Sequence, residues 1–240
     1  MCDGEAFLTA RIKAAIGAVS TVLDCAAALR GEGSNAQLHA VALHATITEL
    51  MGCCIVLAQD RDHAVGIPIL VRSMLEALVD LDNLLHDAGY IGHIEAANLQ
   101  QIVKLLRSAE TNPHLAGLLE GRSGEADAYG ARLQALLQAD KRPLDLKARF
   151  QRAGRQNEYD SLYGLLCLDA HNNSAALADR HIGELPDGTP EISFFRQSDP
   201  RAVGRRLDFG LKILIESARM IHGAYRVKEQ EIAMILAPGR

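Results

Sequence analysis

Tryptophan is absent from this chain, and phenylalanine and tyrosine together bring the aromatic share to only 4%. Strands draw on β-branched and aromatic side chains, whereas Ala and Leu, which dominate here, head the helix scale. A mostly β protein is therefore excluded, and the composition predicts a mostly α chain. Cysteine is scarce and odd in number: Cys2, Cys25, Cys53, Cys54 and Cys167. These residues sit mostly inside apolar helical runs, as small hydrophobes do, and none is spaced as a CxxC pair. A disulfide framework and a structural zinc site both fall away, and a reducing, cytoplasmic setting is expected.

Other absences remove whole function classes. No basic n-region precedes an apolar stretch at the N-terminus, and no uninterrupted apolar run approaches 18 residues, so no membrane partner is expected. There is no Glu-x-x-His, so a di-iron bundle fails. His-Glu-x-x-His, GxxxxGK[ST] and GxSxG are missing too, which sets aside zincins, P-loop enzymes and α/β-hydrolases. His39 and His44 lie about 140° apart around a helix, a poor metal pair. No metal or cofactor is expected.

The formal charge is −5 over 240 residues, which argues against the phosphate backbone of nucleic acid as a main partner. Two basic clusters stand out against that balance. One runs from Lys141 through Arg142, Lys147, Arg149 and Arg152 to Arg155, opposed only by Asp145; the other is Arg201, Arg205 and Arg206. Each reads as a helix face compensating acidic neighbours.

What is present is helical periodicity. Leu8, Ile12, Ala15, Ile16, Val19, Leu23 and Ala26 predict a helix over 5–30. Ser34 or Asn35 caps a second reaching Gln59, and Pro68 opens a third that runs to Asp87. Further helices are predicted over 90–110, 113–121, 125–139, 144–153 and 157–179. Two short extended runs around Asp187-Gly188 predict a small hairpin at about 181–196, and a last helix covers 201–235. The expected architecture is one helical domain over 1–240: a multi-helix bundle with its core at about 34–180, the C-terminal helix, and one small β-hairpin.

The candidate site rests on polar residues inside apolar helical runs, because each one buried without a partner costs about 1–3 kcal/mol. In the third helix Val71, Met74, Leu75, Leu78, Leu81 and Leu85 share one face. Arg72, Glu76, Asp80 and Asn83 lie opposite, beside Ile69 and Val79. Arg72 and Glu76 are four apart and can meet. They form either an exposed ion pair or, if that side is covered, a guanidinium held by Glu76 and aimed at an anion.

In the predicted 157–179 helix, Tyr159, Leu162, Tyr163, Leu166, Ala170, Asn173 and Leu177 share a stripe. His171 lies on the other side with Gly164, Leu168 and Ala175. His171 is either a satisfied core histidine or a catalytic or ligand-binding one.

The run Ile69-Leu70-Val71-Arg72-Ser73-Met74-Leu75-Glu76-Ala77, followed by Tyr159 to Ser174 around His171, resembles a family of uncharacterised prokaryotic helical proteins. That family carries an Arg-Ser-x-x-Glu helix and a later Tyr-to-His helix, and the likeness spans roughly Ser34 to Phe209. The resemblance implies that Arg72, Glu76 and His171 are signature polar residues, and it supplies no activity. A looser similarity is to the HEPN bundles, metal-independent ribonucleases with an Arg-x(4–6)-His motif. The only such spacing is Arg107 to His114, with Pro113 inside it.

The reading is a non-catalytic binding or regulatory module with a buried polar network. The rival is a HEPN-like ribonuclease with His171 as general base or acid and Arg72 steadying phosphate charge. Catalytic candidates are His171, Arg72 and Glu76; ligand-binding candidates are Tyr163, Asn173 and Tyr159. A homodimer is the expected assembly, and a small anionic ligand or RNA the expected partner.

Overall fold

The computed structural model describes residues 2–29, 33–109, 111–116, 122, 124–170 and 173–235. The long helices are α1 (Cys2–Ala26), α2 (Asn35–Gln59), α3 (Ile67–His86), α4 (Ile91–Ala109), α6 (Glu125–Gln138) and α11 (Pro200–Tyr225). Shorter ones are α5 (Pro113–Ala116), α7 (Leu146–Arg152), α8 (Gln156–Glu158), α9 (Gly164–Ala170), α10 (Ser174–His181) and α12 (Glu229–Ile235). Strands β1 (Ile182–Glu184) and β2 (Pro190–Ile192) pair antiparallel, Gly183 facing Glu191, so the fold is mostly α with one small hairpin.

Polar side chains start most of these helices. Ser34 and Gln37 form a reciprocal capping box at α2, with Gln37 Oε1 accepting from Ser34 N at 2.8 Å. Asp145, Asn173 and Asp199 each accept a main-chain N–H at 2.8 Å to open α7, α10 and α11. Such caps satisfy donors that the first turn leaves orphaned.

Helices α1, α2, α3 and α11 make the bundle, with α3 lying against both α2 and α11, and α4 pairs with α6 beside it. Ile47, Met51, Val71, Met74, Leu78 and Leu214 are buried at its centre. Gly210 lets α11 come close: a Cβ there would lie 3.0 Å from Met51 Sδ. By length and composition alone α1 and α2 are apolar enough to cross a membrane, a test that core helices also pass.

The predicted stripe of α1 is rotated. Leu8, Ala15, Ala18, Val22 and Cys25 are buried, while Ile16 and Leu23 are exposed. The predicted 157–179 helix is divided. Residues Tyr159–Tyr163 widen into a π turn, and Asn173 adopts an extended conformation as the cap of α10. An Asn side chain offers the backbone an alternative partner, which favours a cap over a helix interior. Leu165 and Leu168 consequently lie exposed rather than in a bundle centre. The predicted 201–235 helix also divides, at left-handed Arg226, where Val227 N bonds back to His222 O at 3.1 Å.

Two histidines are sealed in this core. His44 Nδ1 donates to Ser217 Oγ at 3.0 Å, because that hydroxyl itself donates to Leu214 O. His222 Nδ1 donates to Val227 O at 2.9 Å. The two rings stand perpendicular with centroids 6.0 Å apart, and neither Nε2 has a hydrogen-bond partner among the described residues. Burial, then the neighbouring His222, lowers the His44 pKa to about 4; burial lowers that of His222 as well.

Stability should therefore fall as pH drops from about 6.5 to about 4. Through that window the unfolded chain takes up protons that folded His44 refuses, and the loss is up to about 1.4 kcal/mol per pH unit. Above the unfolded value the contribution is complete. Urea titrations at several pH values should show a shallower decline for His44→Gln than for the wild type; equal slopes refute the assignment.

Candidate functional site

Helix α3 carries two faces. Its apolar stripe, Val71, Met74, Leu75, Leu78 and Leu81, is buried in the bundle, with Leu85 half-buried. The opposite side bears Arg72, Glu76, Asp80, Asp82, Asn83 and Asp87, and the chain from Asp145 to Tyr163 folds over it. Of the two apolar residues beside the polar face, Val79 is buried and Ile69 is exposed.

Arg72 Nε donates to Glu76 Oε1 at 3.1 Å, and both side chains are about 28% exposed. The same oxygen accepts the hydroxyl of buried Tyr163 at 3.1 Å, and the Arg72 guanidinium lies over the Tyr163 ring, 5.4 Å from its centroid. The pair is thus covered on one side, by an aromatic ring and its hydroxyl, rather than standing free in water. Tyr159 stacks on Tyr163 at 5.4 Å and 9°, and Phe150 packs against both rings at 5.3 and 5.5 Å. Burial, a hydrogen bond with the Cys167 thiol and the Glu76 charge push the Tyr163 pKa above the usual phenol range. Tyr163 therefore stays a neutral donor. Arg72 remains charged: burial opposes it, but the Glu76 hydrogen bond wins.

The next positions along α3 are occupied by the basic stretch. Asp80 receives the fork of Arg149, Nε at 2.8 Å to one oxygen and Nη2 to the other, and the buried Tyr90 hydroxyl at 2.7 Å. Bidentate geometry of this kind is the strong form of the interaction. Asp82, 8% exposed, accepts from Arg155 Nε at 2.7 Å. Arg155 also binds Glu158 at 3.0 Å and Glu216, so one guanidinium ties α3, α8 and α11 together. Burial works against its charge, and the bonds to Glu216, Asp82 and Glu158 overcome that. Asn83 Nδ2 donates to the carbonyls of Val79 and Arg149, both at 3.0 Å. Arg152 pairs with Asp87 and leans over Tyr90.

The structure therefore brings together Arg72, Glu76, Tyr163 and, through stacking, Tyr159. Asn173 is elsewhere: it is the cap of α10, its Nδ2 donating to Leu168 O. His171 lies outside the described residues. Sequence reasoning grouped Arg149, Arg152 and Arg155 as a compensating face but did not match them to α3; the signal was the run of carboxylates at 76, 80, 82 and 87. Arg107 in α4 and His114 in α5 are on different helices, separated at Thr111–Asn112. Among the described residues no group of three or more His, Cys, Asp or Glu is arranged to hold a metal ion.

Two measurements check this arrangement. Arg155→Met leaves the buried Asp82 carboxylate with only the exposed His86, whose Nδ1 lies 3.0 Å from its Oδ1, and should lower unfolding free energy by about 3 kcal/mol in urea. A double-mutant cycle on Arg72→Ala and Glu76→Ala, half-exposed and screened, should give a coupling of about 0.5–1 kcal/mol. A larger loss at Arg72 than at Arg155 contradicts the assigned hierarchy.

No curated protein and no solved structure matches the chain. The model of a family of unknown function, DUF5677, matches residues 37–189, which run from α2 to the hairpin and include Arg72, Glu76, Tyr159 and Tyr163. That stretch is more than half of the sequence and contains all of the α3 network apart from Glu216, so the chain belongs to the DUF5677 family.

Proposed function

We propose that this protein is a non-catalytic binding or regulatory module, working in the cytoplasm, whose polar network fixes the register of α3 against the chain that follows it. One observation carries this reading. Arg72, Arg149 and Arg155 are each committed to a carboxylate on α3, and Arg152 to Asp87 at its C-cap. A catalytic arginine aims N–H donors at charge that develops in a transition state, and donors spent on carboxylates are not aimed there. Arg149, Arg152 and Arg155, bonded to Asp80, Asp87 and Asp82, instead hold the later chain against α3, while Arg72, paired within α3, meets that chain through the Tyr163 ring. The thiols of Cys25, Cys53, Cys54 and Cys167 are free, which suits a reducing compartment.

The ribonuclease reading makes the opposite demand, since it needs Arg72 on phosphate and His171 on a proton. Purified protein incubated with single-stranded RNA at neutral pH should leave the RNA intact, and Arg72→Ala should lower the melting temperature by a few degrees. Cleavage by the wild type that disappears in both Arg72→Ala and His171→Ala overturns the proposal.

A further inference from the structure

A cavity of about 460 Å³ opens where the hairpin meets the start of α3 and α11. Its volume falls within the roughly 300–1,000 Å³ of small-molecule sites. Four features of its wall point to the chemistry of an occupant.

The first is aromatic. Phe194 and Phe195 line the cavity and are 80% and 69% exposed, in a chain with only five phenylalanines. Phe195 holds a left-handed backbone, φ 55°, which a bulky L residue rarely adopts. Strain of that kind persists only where the surroundings fix it. Here they do: Arg61 donates to Ser198 O at 3.2 Å and to Gln197 Oε1 at 2.9 Å, and Phe195 leans on the His63 ring at 5.6 Å. The loop is pinned so that two ring faces stay presented.

The second is cationic. Arg180, Arg196 and Arg206 line the same wall. Arg196 donates to the main-chain carbonyls of Ile182 at 2.7 Å and Asp179 at 3.4 Å, neutral acceptors that orient its charge without cancelling it. The third is polar: Ser198 and Ala202, at the start of α11, border the cavity. Asp199 is turned to its own helix, accepting from Ala202 N. The fourth is an acceptor. Asp62 lines the cavity, and its Oδ1 is enclosed without a hydrogen-bond partner among the described residues.

We propose that this cavity binds a nucleoside monophosphate. The base stacks on Phe194 and Phe195 and gives an N–H to Asp62, and the phosphate meets Arg196. Three carboxylates in the wall, Asp62, Asp179 and Asp199, oppose the higher charge of a triphosphate. The inference rests on the non-catalytic reading in one respect, that the ligand is held and released unchanged.

Isothermal titration with AMP, GMP, CMP and UMP tests it, with the matching nucleosides and inorganic phosphate as separate arms. At least one monophosphate should bind below about 1 mM, and its nucleoside and phosphate alone at least tenfold more weakly. Phe195→Gly relieves the left-handed strain, so it should melt no lower than wild type while losing about tenfold in affinity, the scale of one stacked base. Phe194→Ala, at an exposed position, should fold normally and lose a similar factor. Absence of binding by every monophosphate, or undiminished affinity in Phe195→Gly, overturns the site. Mass spectrometry of the recovered ligand separates the two claims: hydrolysed nucleotide supports the site and overturns the non-catalytic reading, whereas an intact ligand supports both.

Discussion

A helix that buries one face in a bundle and carries carboxylates on the other must either leave that second face in water or supply it with cations. In this protein α3 takes the second course, and much else follows from it. Asp82 is nearly inaccessible and Asp80 is covered by Tyr90 and Arg149. Neither could stay charged there alone, because an isolated buried carboxylate faces a desolvation penalty of several kcal/mol. The arginines that answer them come from one short stretch, 149–155, so neutralising α3 also dictates where α7 and α8 lie. That placement delivers Phe150 and Tyr159, and behind them the Tyr163 hydroxyl to Glu76. The Arg72 cluster is thus downstream of the ion pairs further along the same helix.

The interior treats its polar groups in two different ways, and the contrast separates pH regimes. Around α3 the groups are charged and matched in sign. Between α2 and α11 they are neutral: His44 and His222 donate Nδ1–H to oxygen acceptors and leave Nε2 lone pairs enclosed. An ion pair of carboxylate and guanidinium holds its charge across the neutral range, since both partners resist the proton change that would break it. A buried neutral imidazole resists only until the cost of excluding a proton exceeds what the fold can supply. Mild acid therefore acts on the histidine pair.

Much of this was legible in the sequence, and what was not has identifiable causes. The helices from α2 to α7 follow their predicted spans closely, because Ser34, Pro68 and Pro113 act locally. The Arg72–Glu76 pair follows from spacing alone. Two long helices were overextended: at Asn173 a side chain takes over the role of backbone partner, and at Arg226 a left-handed residue other than glycine reverses the chain. Apolar periodicity passes through both points undisturbed, so it gives no warning. The match of Arg149 to Asp80 and of Arg155 to Asp82 joins residues about 70 positions apart, and charge counting shows only that partners exist. The histidine pair was invisible for the same reason: His44 and Ser217 meet only when α2 and α11 pack.

Polar residues within apolar helices and exposed aromatics in a loop raise the same question, which is where each finds its partner. On α3 the partners are supplied by the chain itself, so the unusual residues are explained once the fold is complete. On the hairpin side the accounting stays open. Phe194 and Phe195 gain little from the protein, Phe195 is held in an unfavourable conformation, and the arginines beside them share the wall of a cavity with Asp62. A group whose cost is met inside the fold needs no ligand to justify it; a strained, exposed aromatic next to oriented cations does. By that criterion the polar face of α3 is accounted for within the fold, and the cavity beside the hairpin is the place to test for the proposed ligand.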